Sequence, residues 1–465
     1  MQNNPHAAGK APVPAAGAEC DLRVDRLAIG GKGVARRDGL VYFVERGLPG
    51  QLVRGKVTAV KKRFAEAKIV TVLEESPDHA KPFCPHFHEC GGCSWQHLRY
   101  DAQLEAKRAL LAETFARLAS SRDIKIATTL ASPHTRHFRN KMEFAFGGNL
   151  HLGLHALGDP GVVLDNTTCF LMPETGVEMM REAGRWCRDS GASAFDAASG
   201  QGFWRHLVVR HGFAAGQWMI QLITAPHPRA KGVGRALAAH LRSVFPGLTV
   251  FAHHIRRAKT PVAIGETLIF NDGAGFIEET IGKVSYRISP GTFFQTNTAA
   301  AGVLYDLIVE RAELSGVETV FDLYCGGGGI ALQLASKAAS VIGFESSPES
   351  VADAEASAAR NGLDNCVFVH GEVLGALRRS EQRPDVVVVD PPRHGAHPDI
   401  MRLLADIGPR RICYVSCDPA TLARDANLAL DHYEISSISP VDMFPHSHHV
   451  ECLVVLDKKS RTRQA

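Results

Sequence analysis

No stretch of this 465-residue chain approaches the ~18 uninterrupted apolar residues that a membrane-spanning helix requires. Its opening segment, MQNNPHAAGKAPVPAAGAE, has no apolar core of the kind a secretory signal carries, so an unexported, cytoplasmic protein is expected. Charge of one sign is also missing. Lys and Arg number 52 against 49 Asp and Glu, and a net +3 says little about partners. Internal repeats are absent, and no G-x-G-x-x-G run announces a dinucleotide cradle. What is present is a globular composition, 45% hydrophobic and 22% charged, which excludes disordered and fibrous classes. At roughly 100–200 residues per domain, two to four domains are expected. Eleven cysteines in an unexported chain read as metal or catalytic thiols rather than a disulfide framework.

The charge is unevenly spread. Between Cys20 and Ser76 lie 12 basic and 7 acidic residues, a small basic module on a near-neutral body. Nucleic-acid binding is one use for such a module, and a solvated charged face is the other. Residues 1–18 are rich in Ala, Pro, Gly and Asn without periodicity and predict a disordered tail. Short β-rich runs follow, Leu40–Val44 and Ala67–Val72 among them, punctuated by Gly30-Gly31, Gly47 and Pro49-Gly50. They predict a small β-barrel. Leu98–Leu118 has the spacing of an amphipathic helix. The middle, about 130–285, is mixed α/β, with strands at Met142–Phe146 and Trp218–Ile223 but no derivable topology.

From about residue 300 the pattern alternates. Strands are predicted at Thr319–Leu323, Ser340–Phe344, Cys366–Val369, Asp385–Val389 and Arg411–Ser416, with helices such as Ser350–Asn361 and Thr421–Leu430 between them. That alternation implies a parallel, doubly wound sheet. Ile435–Val441 and Val450–Leu456 predict a closing hairpin.

The first of these strands runs into Tyr324-Cys325 and then Gly326-Gly327-Gly328-Gly329, a strand, a turn that admits close backbone approach, and a helix start. Glu345 ends the next strand, about 20 residues on, where an acid typically holds ribose hydroxyls. Without a pyrophosphate cradle, an adenosyl ligand fits better than a dinucleotide. Asp390-Pro391-Pro392-Arg393 caps another strand and projects toward the same edge. Cys417 lies just before Asp418 and Pro419, which suit an N-cap and a first helical position. A helix N-terminus favours a thiolate, and the adjacent Asp418 opposes it. Read singly, Cys417 is core and Glu451 a surface acid at a strand edge. His446, His448 and His449 lack a helical metal-binding arrangement and are expected to be loop or RNA-facing residues.

Cys84, Cys90 and Cys93, wrapped around Gly91-Gly92, read as a metal site. Their spacing leaves two choices open: zinc completed by His86 or His88, or an iron–sulfur cluster with a fourth thiolate.

Taken together, the Gly326–Gly329 turn, Asp390-Pro391-Pro392-Arg393, Ser416-Cys417-Asp418-Pro419-Ala420-Thr421 and His449-Val450-Glu451 resemble RNA uracil-5 methyltransferases that use S-adenosylmethionine. Residues 19–76 resemble a TRAM domain, an RNA-binding, OB-like β-barrel. Cys84-x5-Cys90-x2-Cys93 with a distant Cys169 resembles the [4Fe–4S] ligands of the ribosomal RNA branch, with Cys20 and Cys187 weaker choices for the fourth. The resemblance implies an α/β chain in which 97–129 and 286–465 form a Rossmann-like methyltransferase domain. It further implies a central iron–sulfur domain from 77–96 and 130–285. Cys417 is implied as nucleophile, Glu451 as proton acceptor, and Gln295, Tyr324, Glu345 and Asp390 as cofactor contacts. The implied partner is RNA, 23S ribosomal RNA first and transfer RNA second, bound by a monomer with no membrane association. The cluster is expected to be structural or RNA-positioning, since no redox-partner motif accompanies it.

Two rival readings remain. Asp390-Pro391-Pro392 resembles the motif of amino-group methyltransferases, but Arg393 stands where those carry an aromatic residue, and Cys417 and Glu451 would be idle. A non-catalytic RNA-binding protein would need only the barrel and the cluster.

Overall fold

A computed structural model describes residues 14–116 and 125–460. The first 13 residues of the expected tail, and the end of the expected helix beyond residue 116, lie outside the described residues. The chain divides into two compact units. One takes residues up to Phe83 with Cys93–Leu110 and His446–His448; the other takes Cys84–Gly92, Leu111–Pro445 and the C-terminus from His449.

In the smaller unit, five strands close into a barrel: Glu19–Leu27, Gly33–Arg37, Leu40–Glu45, Leu52–Val60 and Phe64–Glu74. Alternating residues fill its interior, Leu22 and Val24, Val53 and Val57, Ala65 and Ala67, with Tyr42 and Val44 between them. That is the period of two expected of strands with one buried face. Lys61, Lys62 and Arg63 form the exposed turn between the last two strands. The helix expected over 98–118 runs Tyr100–Phe115. Its inward positions include polar Gln103 and Lys107, both fully buried, so the amphipathic description is corrected. Gln103 is inward because its amide donates to the carbonyls of Trp95 (3.0 Å) and Leu98 (2.8 Å).

The larger unit holds two main sheets. The first has the order Thr267–Gly273, Leu248–Ile255, Gln217–Thr224, Trp204–Gly212, Lys141–Phe146 and Leu152–Gly153. Only the pair Gln217–Thr224 and Leu248–Ile255 is parallel, joined through the helix Ala230–Val244. The second has seven strands in the order Cys366–His370, Ser340–Glu345, Thr319–Leu323, Val386–Val389, Arg411–Ser416, Glu451–Lys458 and Tyr433–Val441. The first five are parallel, and the expected closing hairpin adds the last two antiparallel. Strand order reverses beside Thr319–Leu323, which opens a crevice at the carboxyl ends of that strand and Val386–Val389. Among the described residues no helix is long and apolar enough to cross a membrane.

Candidate active site

That crevice is a cleft of about 660 Å³. Gln295, Tyr324, Glu345, Asp390, Cys417 and Glu451 all line it, so every expected catalytic and cofactor residue converges on one cavity.

Its floor is the glycine turn. Tyr324, Gly326 and Gly328 all have positive φ, at 65°, 53° and 82°. For a tyrosine this is a strained conformation, held here because Tyr324 N–H and Cys325 N–H both donate to the carbonyl of Phe344. Glu345 locks the turn from the neighbouring strand: its carboxylate accepts from Gly326 N–H (3.0 Å), Ser347 N–H (2.7 Å) and Ser346 Oγ (3.1 Å).

The roof is the segment Pro290–Asn297. Asn297 caps the helix Thr298–Ala312 and donates to Ser132 Oγ and to the carbonyl of Met443, both at 3.0 Å. Asn140 donates to the Gln295 carbonyl (2.8 Å) and to Thr298 Oγ1 (2.9 Å). Asp353, fully buried, accepts from Ser289 N–H, Ser289 Oγ and Thr292 Oγ1. These three positioning residues were invisible in the sequence, because their partners lie tens of residues away.

The reactive wall is electrostatically tense. Burial pushes the Cys417 thiol up to about 11, Glu451 and Asp390 add to the rise, and Arg393 opposes it. The helix after Cys417 runs Pro419–Asn427, but its first amides serve Asp418, whose Oδ1 accepts from Ala420 N–H and Thr421 N–H, both at 2.9 Å. The expected dipole benefit is thus outweighed by desolvation. Asp390 is pushed up to about 7 by burial. Glu451, only 4% exposed, is raised well above the carboxylate range by burial and then by Asp390, with Arg393 opposing. Read singly it was a surface acid; in the fold it opens a buried strand and faces the cleft. Asp322 was not anticipated at all. It is completely buried and lines the cleft, and its carboxyl is raised well above the carboxylate range by burial and then by Asp390, with the Ala331 backbone N–H opposing.

The three histidines separate. His449 lines the cleft. His446 is buried within the smaller unit, where its N–H donates to Gln103 Oε1 (2.9 Å) and its carbonyl accepts from Ser94 and Trp95 N–H. It is thus a loop residue, the first of the two expected alternatives, with its polar groups spent inside the protein.

Of the four expected cluster ligands, Cys84, Cys90 and Cys169 belong to the larger unit and Cys93 to the smaller. Burial raises the Cys169 thiol, the Leu171 and Met172 backbone opposes, and Cys90 and Cys84 add to the rise; Gly92 N–H points to Cys90 Sγ at 3.3 Å. Sulfurs surrounded by backbone donors suit thiolate ligation. Among the described residues, however, no group of three or more His, Cys, Asp or Glu side chains is arranged to hold a metal ion. His86 Nε2 is engaged with Thr167, at 3.0 Å to its hydroxyl and 3.1 Å to its N–H. Cys187, raised by burial, is core.

The glycine turn, the acid at the second strand end and the switch-point cleft define an α/β methyltransferase fold, and the cradle fits S-adenosylmethionine: Tyr324 and the glycines bring bare backbone to its edge, and the acids Asp322 and Asp390 line it. The profile of the tRNA (Uracil-5-)-methyltransferase family matches residues 274–459, and that of the TRAM domain matches 16–70. An RNA methyltransferase of Nitratidesulfovibrio vulgaris is 45% identical over 453 residues, covering 95% of this chain and 97% of the relative. One from Bacillus cereus is 34% identical over 447 residues, covering 94% and 96%. Among solved structures, the tRNA (uracil-54, C5)-methyltransferase of Pyrococcus abyssi, in complex with S-adenosyl-L-homocysteine, superposes with a TM-score of 0.76 at 26% identity, covering 94% of this chain and 100% of that one. The chain belongs to the RNA uracil-5 methyltransferase family, in its TRAM-bearing form.

Proposed function

We propose that the chain methylates carbon 5 of a specific uridine in 23S ribosomal RNA through a covalent bond between Cys417 and the base. The observation that carries this reading is the shared cleft of Cys417, Glu451 and the cofactor-facing residues. Carbon 5 of uracil is too weak a nucleophile to take a methyl group unaided. Addition of Cys417 Sγ to carbon 6 makes carbon 5 enolate-like, and bound S-adenosylmethionine supplies the sulfonium methyl it takes. Glu451 then accepts the carbon 5 proton, and Cys417 leaves as the ring regains its double bond. Burial suits Glu451 to this work, because a desolvated carboxylate is a stronger base than an ordinary one. The uridine must leave any stack to reach the thiol.

In the same reading, residues 19–76 grip RNA phosphates, and Cys84, Cys90, Cys93 and Cys169 hold a structural [4Fe–4S] cluster. Iron and acid-labile sulfide in protein purified without air support the cluster, and zinc in their place overturns it. Methylation of transfer RNA is the second reading, favoured by the similarity to the P. abyssi enzyme across nearly the whole chain. Mapping 5-methyluridine in both RNA classes from a strain lacking the gene decides between them. Loss from 23S RNA is expected; loss from transfer RNA alone selects the second reading.

A further inference from the structure

We propose that Tyr305 is a cofactor-binding residue whose hydroxyl, admitted by the missing side chain of Gly329, donates a hydrogen bond to an acceptor atom of S-adenosylmethionine. This inference rests on the cleft being the cofactor site. Tyr305 comes from the helix Thr298–Ala312, an element outside the motifs that mark the site in the sequence. Its ring packs in the core of the larger unit and is 4% exposed, yet it lines the cleft with Gly329, Asp322 and Asp390. A Cβ at position 329 would lie 2.5 Å from the Tyr305 hydroxyl oxygen and 3.2 Å from Cζ. The first distance is one that real side chains do not adopt. The φ of Gly329 is outside the left-handed region, so its backbone does not require glycine; the room taken by the tyrosine does.

The turn cannot simply swing aside. The carbonyl of Gly329 accepts from the Tyr286 hydroxyl at 2.9 Å, and that hydroxyl accepts from Gln333 Nε2 at 2.8 Å. Among the described residues, the Tyr305 hydroxyl itself makes no hydrogen bond. Because Tyr305 lines the cleft and its hydroxyl proton is unspent, it is placed to donate to an acceptor on a bound ligand. Burial, with Tyr286, Asp390, Asp322 and Glu451 nearby, keeps the phenol protonated far above its usual range, so it acts as a donor at every working pH.

The test is a double-mutant cycle on S-adenosyl-L-homocysteine binding, read by calorimetry with full-length Tyr305→Phe, Gly329→Ala and the double variant. Tyr305→Phe keeps the ring and should weaken binding about 3- to 10-fold, the range of one hydrogen bond. Gly329→Ala should weaken it by a similar factor by displacing the hydroxyl. In the double variant the offending oxygen is gone, so the alanine should add less than about twofold. RNA affinity measured without cofactor should not move in any variant. Multiplying losses, equal binding by Tyr305→Phe and wild type, or a loss in RNA affinity instead would each overturn the inference. Failure of the wild-type chain to bind S-adenosyl-L-homocysteine would overturn the cofactor site itself, a distinct outcome.

Discussion

The two ends of the cleft differ in how their polar groups are held. At the glycine turn, Glu345 accepts from two backbone N–H groups and a serine hydroxyl, and Tyr324 is pinned by the Phe344 carbonyl, so the surface proposed to meet the cofactor is fixed beforehand. At the far end, Cys417, Asp390 and Glu451 crowd together with little compensation, and burial holds all three toward their neutral forms. In the proposed function, one end serves rigidity and the other chemistry. Preorganised donors lower the cost of binding, whereas desolvated groups store the free energy that a nucleophile and a base need.

The comparison breaks most visibly if the two ends cannot be separated. Cys417→Ala should lower methyl transfer at least about 10⁴-fold, while S-adenosyl-L-homocysteine binding stays within about twofold. Loss of both activities together would show that the thiol also shapes the cofactor end.

Next in size is the pH dependence of the reactive end. With the Cys417 thiol raised to about 11, the proposed mechanism has only the minor thiolate available to attack at neutral pH. The single-turnover rate of adduct formation should climb about tenfold per pH unit between about pH 7 and pH 9. A flat profile would mean that RNA binding resets the thiol.

Asp390 sharpens the boundary between the ends. Its folded-state value, about 7, lies above the unfolded carboxylate's, so the folded protein keeps this proton across the interval from roughly pH 4 to 7. The stability it contributes is present at the acid side and lost as pH rises through about 7. Asp390→Asn should therefore melt higher than wild type at about pH 8 without cofactor, yet bind S-adenosylmethionine about tenfold more weakly. Thermal melts and calorimetry on the same preparations check both signs. Smallest is the barrel's share: replacing Lys61, Lys62 and Arg63 with Ala should weaken RNA binding a few-fold and flatten its salt dependence, leaving cofactor affinity unchanged.

The seven-stranded sheet was readable because its strands are short apolar runs between helical segments; Thr319–Leu323 and Arg411–Ser416 fall where the pattern puts them. The central sheet was not, because strands such as Trp204–Gly212 are buried on both faces and carry no alternation to orient them. The site divides similarly. Cys417, Asp390 and Glu345 stand at strand ends, where position in sequence translates into position in space. Asp322 sits inside a strand, and its burial beneath the cleft has no local signature. Asn140, Asp353 and Tyr305 act only through partners brought near by the fold, and the Tyr305–Gly329 fit exists only in three dimensions.

The division of labour within the reactive end is tested most directly by Glu451→Gln, which keeps the shape of the side chain and removes the base. Addition and methyl transfer should proceed, and elimination should stall. Intact mass spectrometry of the denatured protein after nuclease digestion should then show a methylated nucleotide adduct, and peptide mapping should place it on Cys417. Full turnover by this variant, or an adduct on any other cysteine, would contradict the assignment of Cys417 as nucleophile and Glu451 as base.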